Sequence, residues 1–287
     1  MRVFSIDLDG KPFIKPHNTA RQLRVVFSAV MNYTENLGTL DLAIYNLSKA
    51  TKVLQGQSIA LKAGYDETSE TFQTIFNGRV TTVFTEREGA NVITRVLCRS
   101  GTVDDRGSLD KTLGKNVTAT QVLDQIGNTF GVAIEYQKEQ FKDGTVYYRG
   151  ISLEGDIRKQ LDCLGKSAEF CWCHDGTKVV IDRPKKKRTG VVHEVSLKTG
   201  LIGMPEESSD NTGVIVNVTT RLNPALHIGC LIDLKSQYAT FNTGNMYLTP
   251  PQHGGNLDGQ YKVMTIAHEG DSWGEVWRTK LEVMKNG

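Results

Sequence analysis

The sequence lacks several things, and each scarcity excludes a class of protein. No segment approaches the run of about 20 apolar residues that a membrane-spanning helix needs. Acidic Asp7 and Asp9 stand where the apolar core of a signal peptide would lie, so the N-terminus is not expected to be one. Charge of one sign is not in excess: 34 Lys+Arg against 32 Asp+Glu leave a formal net charge of +2. A dedicated polyanion binder normally shows a basic surplus. The cysteines number five, an odd count that offers no even disulfide framework and suits buried thiols made in a reducing cytosol. Proline is scarce, at 7 residues against 28 glycines, a balance that suits strands and tight turns. Catalytic signatures are missing too. There is no His-Glu-x-x-His, no Gly-x-Ser-x-Gly elbow and no Gly-x4-Gly-Lys-Ser/Thr phosphate loop. The six histidines, at positions 17, 174, 193, 227, 253 and 268, are scattered.

What is there divides into three regions. Residues 1–102 show period-two alternation, the mark of a half-buried antiparallel sheet. Phe4, Ile6 and Leu8 alternate before Asp9-Gly10, a hairpin signal followed by Phe13. Further strands are expected at Leu40 to Ile44, Ile59 to Ala63, Ile75 to Phe84 and Val92 to Cys98, with a short helix over 48–54. Residues 103–186 change character. Thr118 or Thr120 can cap a helix carrying Val122, Leu123, Ile126 and Phe130 on one face, and Gly131 is placed to end it. Strands follow at 132–136 and 146–151. A second helix starts at Ser152, carries Ile157, Leu161 and Leu164, and ends at Gly165. A hairpin around Asp175-Gly176 completes a small α/β unit with its helices on one face. The basic run Pro184-Lys-Lys-Lys-Arg188 reads as a solvated linker rather than a phosphate-binding patch. Residues 187–287 return to β, with strands at Val214 to Val218, 231–234, 261–266 and 276–283, an acidic loop over 204–213 and a long polar loop over 242–256.

The two outer regions echo one another. Gly56-x-x-Ile-x-Leu-Lys62 and Gly229-x-x-Ile-x-Leu-Lys235 share a pattern, and Gly78 and Gly259 each stand eleven residues before a Glu-Gly glycine, Gly89 and Gly270. Each Glu-Gly is expected at a hairpin turn. The reading is a duplicated β fold with the middle region inserted between the copies.

Few residues invite chemistry. Asp7-Leu-Asp9-Gly10 resembles the phosphoryl-accepting loop of haloacid-dehalogenase-type phosphatases, but Lys11 stands where that family has Thr or Val and the surrounding strands look antiparallel. A hairpin turn explains the same residues. Cys163, Cys171, Cys173 and His174 could supply zinc ligands, but strand alternation splits His174 from Cys171 and Cys173, so buried thiols are the simpler reading. His268-Glu269-Gly-Asp271 reads as a turn. No catalytic, cofactor-binding or metal-ligating residue is assigned, and the chain is not expected to be an enzyme. A glycan- or ligand-binding β module is the alternative, with Tyr247 the aromatic nearest the long polar loop.

In order along the chain, Leu42-Ala-Ile-Tyr-Asn-Leu-Ser48, Gly56-x-x-Ile-x-Leu-x-Ala-Gly-Tyr65, Ile75-Phe-Asn-Gly78 and Asn91-Val-Ile-Thr-Arg-Val resemble the N-terminal domain of bacteriophage central baseplate hub proteins. Near the C-terminus, Leu226-His-Ile-Gly229, Gly259-Gln-Tyr-Lys-Val263 and His268-Glu-Gly-Asp271 before Trp277 are similar to the same family. The resemblance implies an α+β, mainly β fold: tail-tube-like antiparallel domains at 1–102 and 187–287 flanking an α/β domain at 103–186. It also implies a homotrimer in the virion tail, synthesised in the host cytoplasm, that joins a hexameric tail tube or distal tail protein to a trimeric spike. A tape-measure protein would be a further partner, and DNA would pass during genome ejection without specific binding. No cofactor and no membrane insertion are implied.

Overall fold

The computed structural model describes residues 2–16, 23–33, 36–48, 52–65, 71–101, 108–210, 213–236, 238, 240–241 and 257–286. Asp9 and Gly10, at φ 49° and 72°, make the tight turn between β1 (Val3–Leu8) and β2 (Lys11–Ile14). The Asp9 carboxylate accepts from the Ser58 backbone N–H (2.8 Å) and from Gln57 Nε2 (2.9 Å), and these bonds hold it below the usual carboxylate range. Five more strands follow: β3 (Val25–Asn32), β4 (Thr39–Tyr45), β5 (Ser58–Gly64), β6 (Gln73–Glu88) and β7 (Asn91–Ser100). Strand β3 was not among the strands expected, although it buries Val25, Phe27, Ala29 and Met31 in strict alternation. Of the short helix expected over 48–54, residues 49–51 lie outside the described residues and 52–54 are not helical.

The middle region contains β8 (Ser108–Leu113), β9 (Val117–Thr118), α1 (Ala119–Phe130), β10 (Ala133–Glu135), β11 (Val146–Tyr147), β12 (Ile151–Asp156), α2 (Ile157–Ala168), β13 (Cys171–His174) and β14 (Lys178–Asp182). Thr118 caps α1 in a reciprocal box with Gln121, and Gly131 ends it at φ 63°. Two boundaries of α2 differ from expectation. Ser152 lies in β12, opposite Thr112 of β8, and the cap is Asp156, whose carboxylate accepts the Arg158 N–H at 2.8 Å. Gly165 does not stop the helix, which runs to Ala168 and closes on Glu169 at φ 53°. Gly165 serves close approach instead: a Cβ there would lie 2.8 Å from the Phe170 carbonyl oxygen.

The third region contains β15 (Val192–Val195), β16 (Glu206–Asp210), β17 (Gly213–Arg221), β18 (Leu231–Leu234), β19 (Thr240–Phe241), β20 (Gly259–Asp271) and β21 (Trp277–Lys285). The acidic loop expected over 204–213 is largely strand β16, paired along its length with β17 and burying Glu207. The whole of the 242–256 loop expected from the sequence, Tyr247 included, lies outside the described residues. Glu269 and Gly270 are not at a turn but inside β20, opposite Arg278 and Trp277. A glycine is required at 270 because a Cβ there would lie 2.3 Å from Phe27 Cζ.

Among the described residues, strands of both outer regions join one sheet in the order β19-β16-β17-β21-β20-β3-β4-β7-β6-β5-β1-β2, with β18 and β15 branching from β20. The seam is β20 against β3. Three apolar clusters underlie it. One gathers Phe4, Ile6, Phe27, Leu42, Leu61 and Phe76 with Trp277 from the third region. A second gathers Val216, Ile232, Val263, Ile266 and Val283 with Met31 from the first. The third packs Val122, Leu123, Ile126, Leu161 and Leu164 on the β13–β14 hairpin. That hairpin serves two cores, because alternation sends Trp172 and Val179 to the third cluster and Cys173 and Val180 to the second.

Candidate assembly interface

The echo seen in the sequence corresponds to matching hydrogen bonds. Gly56 and Gly229 both adopt positive φ, at 87° and 75°. The Gly56 N–H donates to the Val80 carbonyl (2.8 Å), whose own N–H donates to Gln57 O (2.9 Å). The Gly229 N–H donates to Val263 O (2.9 Å), and the Val263 N–H donates to Cys230 O (3.0 Å). A β-bulge follows at the same step in each copy, between Val80 and Thr82 and between Val263 and Thr265. Val80 lies opposite Cys98, Cys98 opposite Leu40 and Leu40 opposite Ala29. In the same sequence of steps Val263 lies opposite Val283, Val283 opposite Val216 and Val216 opposite Glu207. The order β3-β4-β7-β6-β5-β1 is thus matched by β16-β17-β21-β20-β18-β15. One difference stands: β1 runs antiparallel to β5, whereas β15 runs parallel to β18. The structural match pairs Gly78 with Tyr261 rather than with Gly259, so the Glu-Gly spacing in the sequence was two residues out of register.

The two copies differ in what lies beyond the bulge. In β20, Thr265 to Asp271 pair with Asn32 to Val26 of β3. In β6, residues 82–88 have no described strand on the edge away from β7. The counterpart of β3 is β16, whose outer edge carries β19 at Glu206 and Glu207 and no described strand at 208–210. Phe84, within the stretch of β6 that has no described outer partner, is exposed by 42%.

The face of the central sheet opposite the cores mixes apolar Phe84, Ile93 and Leu97 with charged side chains. It carries Asp41, Glu86, Arg95, Glu269, Arg278 and Lys280, none of them buried. Arg95 Nε donates to Glu86 at 2.5 Å, and Lys280 Nζ and Arg278 Nε donate to Glu269 at 2.7 and 2.8 Å. Partial burial alone would raise the Glu269 carboxyl, but the two cations outweigh it and hold it below the usual range. Where β20 turns into β21, Asp271 binds Arg24 through both oxygens (2.7 and 3.2 Å) and caps the Trp273 N–H, which presents Trp273 at 68% exposure.

The basic run is not a solvated linker. The fully buried Lys262 ammonium donates to Asp182 Oδ2 (2.8 Å) and to the carbonyls of Pro184 (2.9 Å), Lys186 (3.0 Å) and Arg183 (3.1 Å). Arg188 is buried beside them, 3.5 Å from Asp182 Oδ1. The side chain of Lys262 thus occupies a ring of oxygens and ties the 183–188 segment to β20. Nothing in the composition of the run signals this, because the backbone does the work and the partner is 76 residues away or more.

The other residues singled out in the sequence have ordinary partners. Asp7 lies 3.8 Å from Lys62, Asp9 holds its own turn, and both sit on an antiparallel hairpin rather than the helix-alternating parallel sheet a phosphatase loop needs. Cys163 is exposed on α2, while Cys171 donates to the Asp182 carbonyl at 3.2 Å. Burial pushes the Cys98, Cys171 and Cys173 thiols up to about 12. His174 accepts the Gly176 N–H through Nδ1 at 2.9 Å. Among the described residues no cluster of three or more His, Cys, Asp or Glu is placed to hold a metal ion.

The baseplate hub gp41 family model matches residues 22–247, most of the chain. The chain belongs to that family. Members of the baseplate hub gp41 family are structural components of the phage tail and not enzymes, which removes the phosphatase reading of Asp7 and Asp9. Solved structures share the mainly β, antiparallel fold at low identity. The prophage MuSo2 43 kDa tail protein from Shewanella oneidensis superposes with a TM-score of 0.64 at 13% identity, covering 100% of this chain and 99% of its own. A tail protein from Neisseria meningitidis MC58 gives 0.61 at 10% identity, covering 100% and 97%. The E. coli c3393 protein, described as a type VI secretion system component similar to the T4 tail proteins gp27 and gp5, gives 0.60 at 10%, covering 98% and 77%. No curated protein matches the sequence.

Proposed function

We propose that this baseplate hub acts as a homotrimeric ring adaptor in the tail. Each chain contributes two tube-like β units, residues 1–102 and 187–287, with the α/β unit 103–186 inserted between them. Three chains then give six similar units around a central channel. One face of the ring would match the hexameric tube and the other the trimeric spike, with DNA leaving through the middle and the tape-measure protein contacting it from the tube side. The observation that carries this reading is the unequal fate of the two equivalent strands. Strand β20 has its outer edge filled by β3, whereas among the described residues the same stretch of β6 has no partner on that edge and the counterpart of β3, strand β16, has only β19 beside it. A second copy of the chain supplies a partner for 82–84 and 208–210, and repetition closes a ring that covers part of both edges.

The internal repeat also sets the register. Transferring the pairing of β20 with β3 onto β6 and β16 places Thr82, Val83 and Phe84 opposite Asp210, Ser209 and Ser208 of the next chain. Paired antiparallel residues stand about 4.5–5.5 Å apart at Cα, within reach of a disulfide. Phe84→Cys with Ser208→Cys, in a Cys163→Ser background that removes the exposed native thiol, is expected to give covalent dimers and trimers on mild oxidation at about 100 μM. Each single cysteine variant should give none of the higher species. A doubly substituted chain that stays uncrosslinked, and monomeric by light scattering with or without the spike protein, overturns the ring.

A further inference from the structure

We propose that Glu86 and Glu269 are built-in counter-ions that keep Arg95, Arg278 and Lys280 from gripping a polyanion drawn past the open face of the sheet. The polyanion's passage rests on the ring reading; the masking is a property of the sheet face itself.

Three observations support it. First, the two clusters occupy equivalent places in the internal repeat. Glu86 of β6 and Arg95 of β7 stand in the positions that Glu269 of β20 and Lys280 of β21 hold in the other copy, as the shared pairing steps from Val80 and Val263 show. The same diagonal contact is made in both, at 2.5 and 2.7 Å. Second, the pairs do little for the fold. Arg95, Arg278 and Lys280 have side chains 37%, 39% and 45% exposed, and ion pairs this exposed contribute about 0–1 kcal/mol at most. Third, by strand alternation the pairs point away from the clusters that contain Leu42, Val96 and Val283, on the face that the ring reading takes as the channel wall. Asp41 adds a third carboxylate, 3.4 Å from Arg95 Nη1.

A free Lys or Arg on that wall would bind backbone phosphate and release counter-ions, adding about 0.9 to the salt slope for each phosphate neutralised. A cation already held by a carboxylate gains far less. The arrangement therefore keeps positive side chains on the wall while removing the adhesion they would otherwise cause.

The test uses the full chain and a labelled 20-base-pair DNA duplex of mixed sequence, followed by fluorescence anisotropy between about 50 and 200 mM salt. Glu86→Gln with Glu269→Gln is expected to bind at least about tenfold tighter than the parent at the low-salt end, with a salt slope steeper by about one to three. Adding Arg95→Gln, Arg278→Gln and Lys280→Gln should return binding to the parent level. A control pair, Glu139→Gln with Glu275→Gln, makes the same change of net charge away from the face and should leave binding unchanged. Circular dichroism verifies the fold of each variant. A folded double variant that binds no better than the parent, or a control that gains as much, overturns the masking. Arg95, Arg278 and Lys280 are partly exposed in a single chain, so the anisotropy judges the masking while the mass of each sample judges the ring.

Discussion

Replacing Lys262 with methionine is the sharpest test of how the insert is held. Methionine keeps most of the volume of the lysine stem, so the change removes a charge and its donors while leaving little void. The ammonium is fully buried and serves four oxygens between 2.8 and 3.1 Å, one of them the carboxylate of Asp182, itself only 1% exposed. Removing one partner of a buried ion pair costs about 3–5 kcal/mol. Here Asp182 retains Gln140 at 2.9 Å and Arg188 at 3.5 Å, which moderates its loss, while three carbonyls lose a donor and stay in place. The expected cost is therefore about 3–4 kcal/mol by denaturant titration. Amide exchange followed by mass spectrometry should show the loss of protection concentrated at 182–188 and the facing part of β20. Because Lys262 and Asp182 share one network, Lys262→Met with Asp182→Asn should cost less than the sum of the singles, by about 1–3 kcal/mol. A Lys262→Met chain within about 1 kcal/mol of the parent, with unchanged exchange at 182–188, would refute the clamp.

Three further outcomes follow from the core and the thiols. His268 is fully buried against Thr279, and burial lowers it from 6.5 to about 4. The unfolded chain takes up this proton near pH 6.5 and the folded chain only near 4, so the stabilisation is complete above 6.5 and falls by about 3 kcal/mol as pH drops to 4. Denaturation midpoints should decline over that window, and His268→Gln should flatten the decline; an unchanged slope rejects the assignment. Gly270→Ala drives a methyl into Phe27 and Trp277 and should cost about 1–3 kcal/mol or more, read as a lowered melting temperature. A thiol reagent at pH 8 should label Cys163 rapidly and the other four cysteines only on unfolding, since they are buried or largely so; rapid labelling of a second thiol in the native chain contradicts the packing.

The elements legible in the sequence were those with one clear period and one clear stop. Thr118, Gln121 and Gly131 bracket α1 by local chemistry, and Asp9-Gly10 marks its hairpin, because caps and tight turns depend on residues a few positions apart. Strand β16 was hidden because Glu206-Glu-Ser-Ser-Asp210 has the composition of a loop, and it is a strand only because β17 pairs with it. Gly165 and Gly270 looked like stops, whereas each is small so that Phe170 or Phe27 can come close, a reason that lies outside the local sequence. The echo of Gly56 and Gly229 marks the two places where a glycine and the residue after it exchange the same pair of backbone hydrogen bonds with a strand valine. The Glu-Gly pairs misled by two residues, because Gly270 lies inside β20 whereas Gly89 lies in the turn after β6. The candidate interface was not legible at all, since an open edge is defined by what fails to pair with it.

The same geometry sets how strongly the ring can close. Strand β19 covers the outer edge of β16 at Glu206 and Glu207, and the transferred register would set Glu86 opposite Glu206, two carboxylates facing directly. Both features confine pairing to 82–84 against 208–210, on the order of two to four backbone hydrogen bonds worth ~1 kcal/mol each. Association costs at least about 4 kcal/mol in lost freedom, so this edge cannot hold chains together at low concentration unaided. The ring should then form in proportion to concentration or on a template that presents three or six sites. Crosslinking of the chain carrying both Phe84→Cys and Ser208→Cys is expected to rise steeply between about 1 and 100 μM and to saturate at the low end once tube or spike is added. A yield already complete at the lowest concentration without either partner would show that contacts other than this edge carry the assembly.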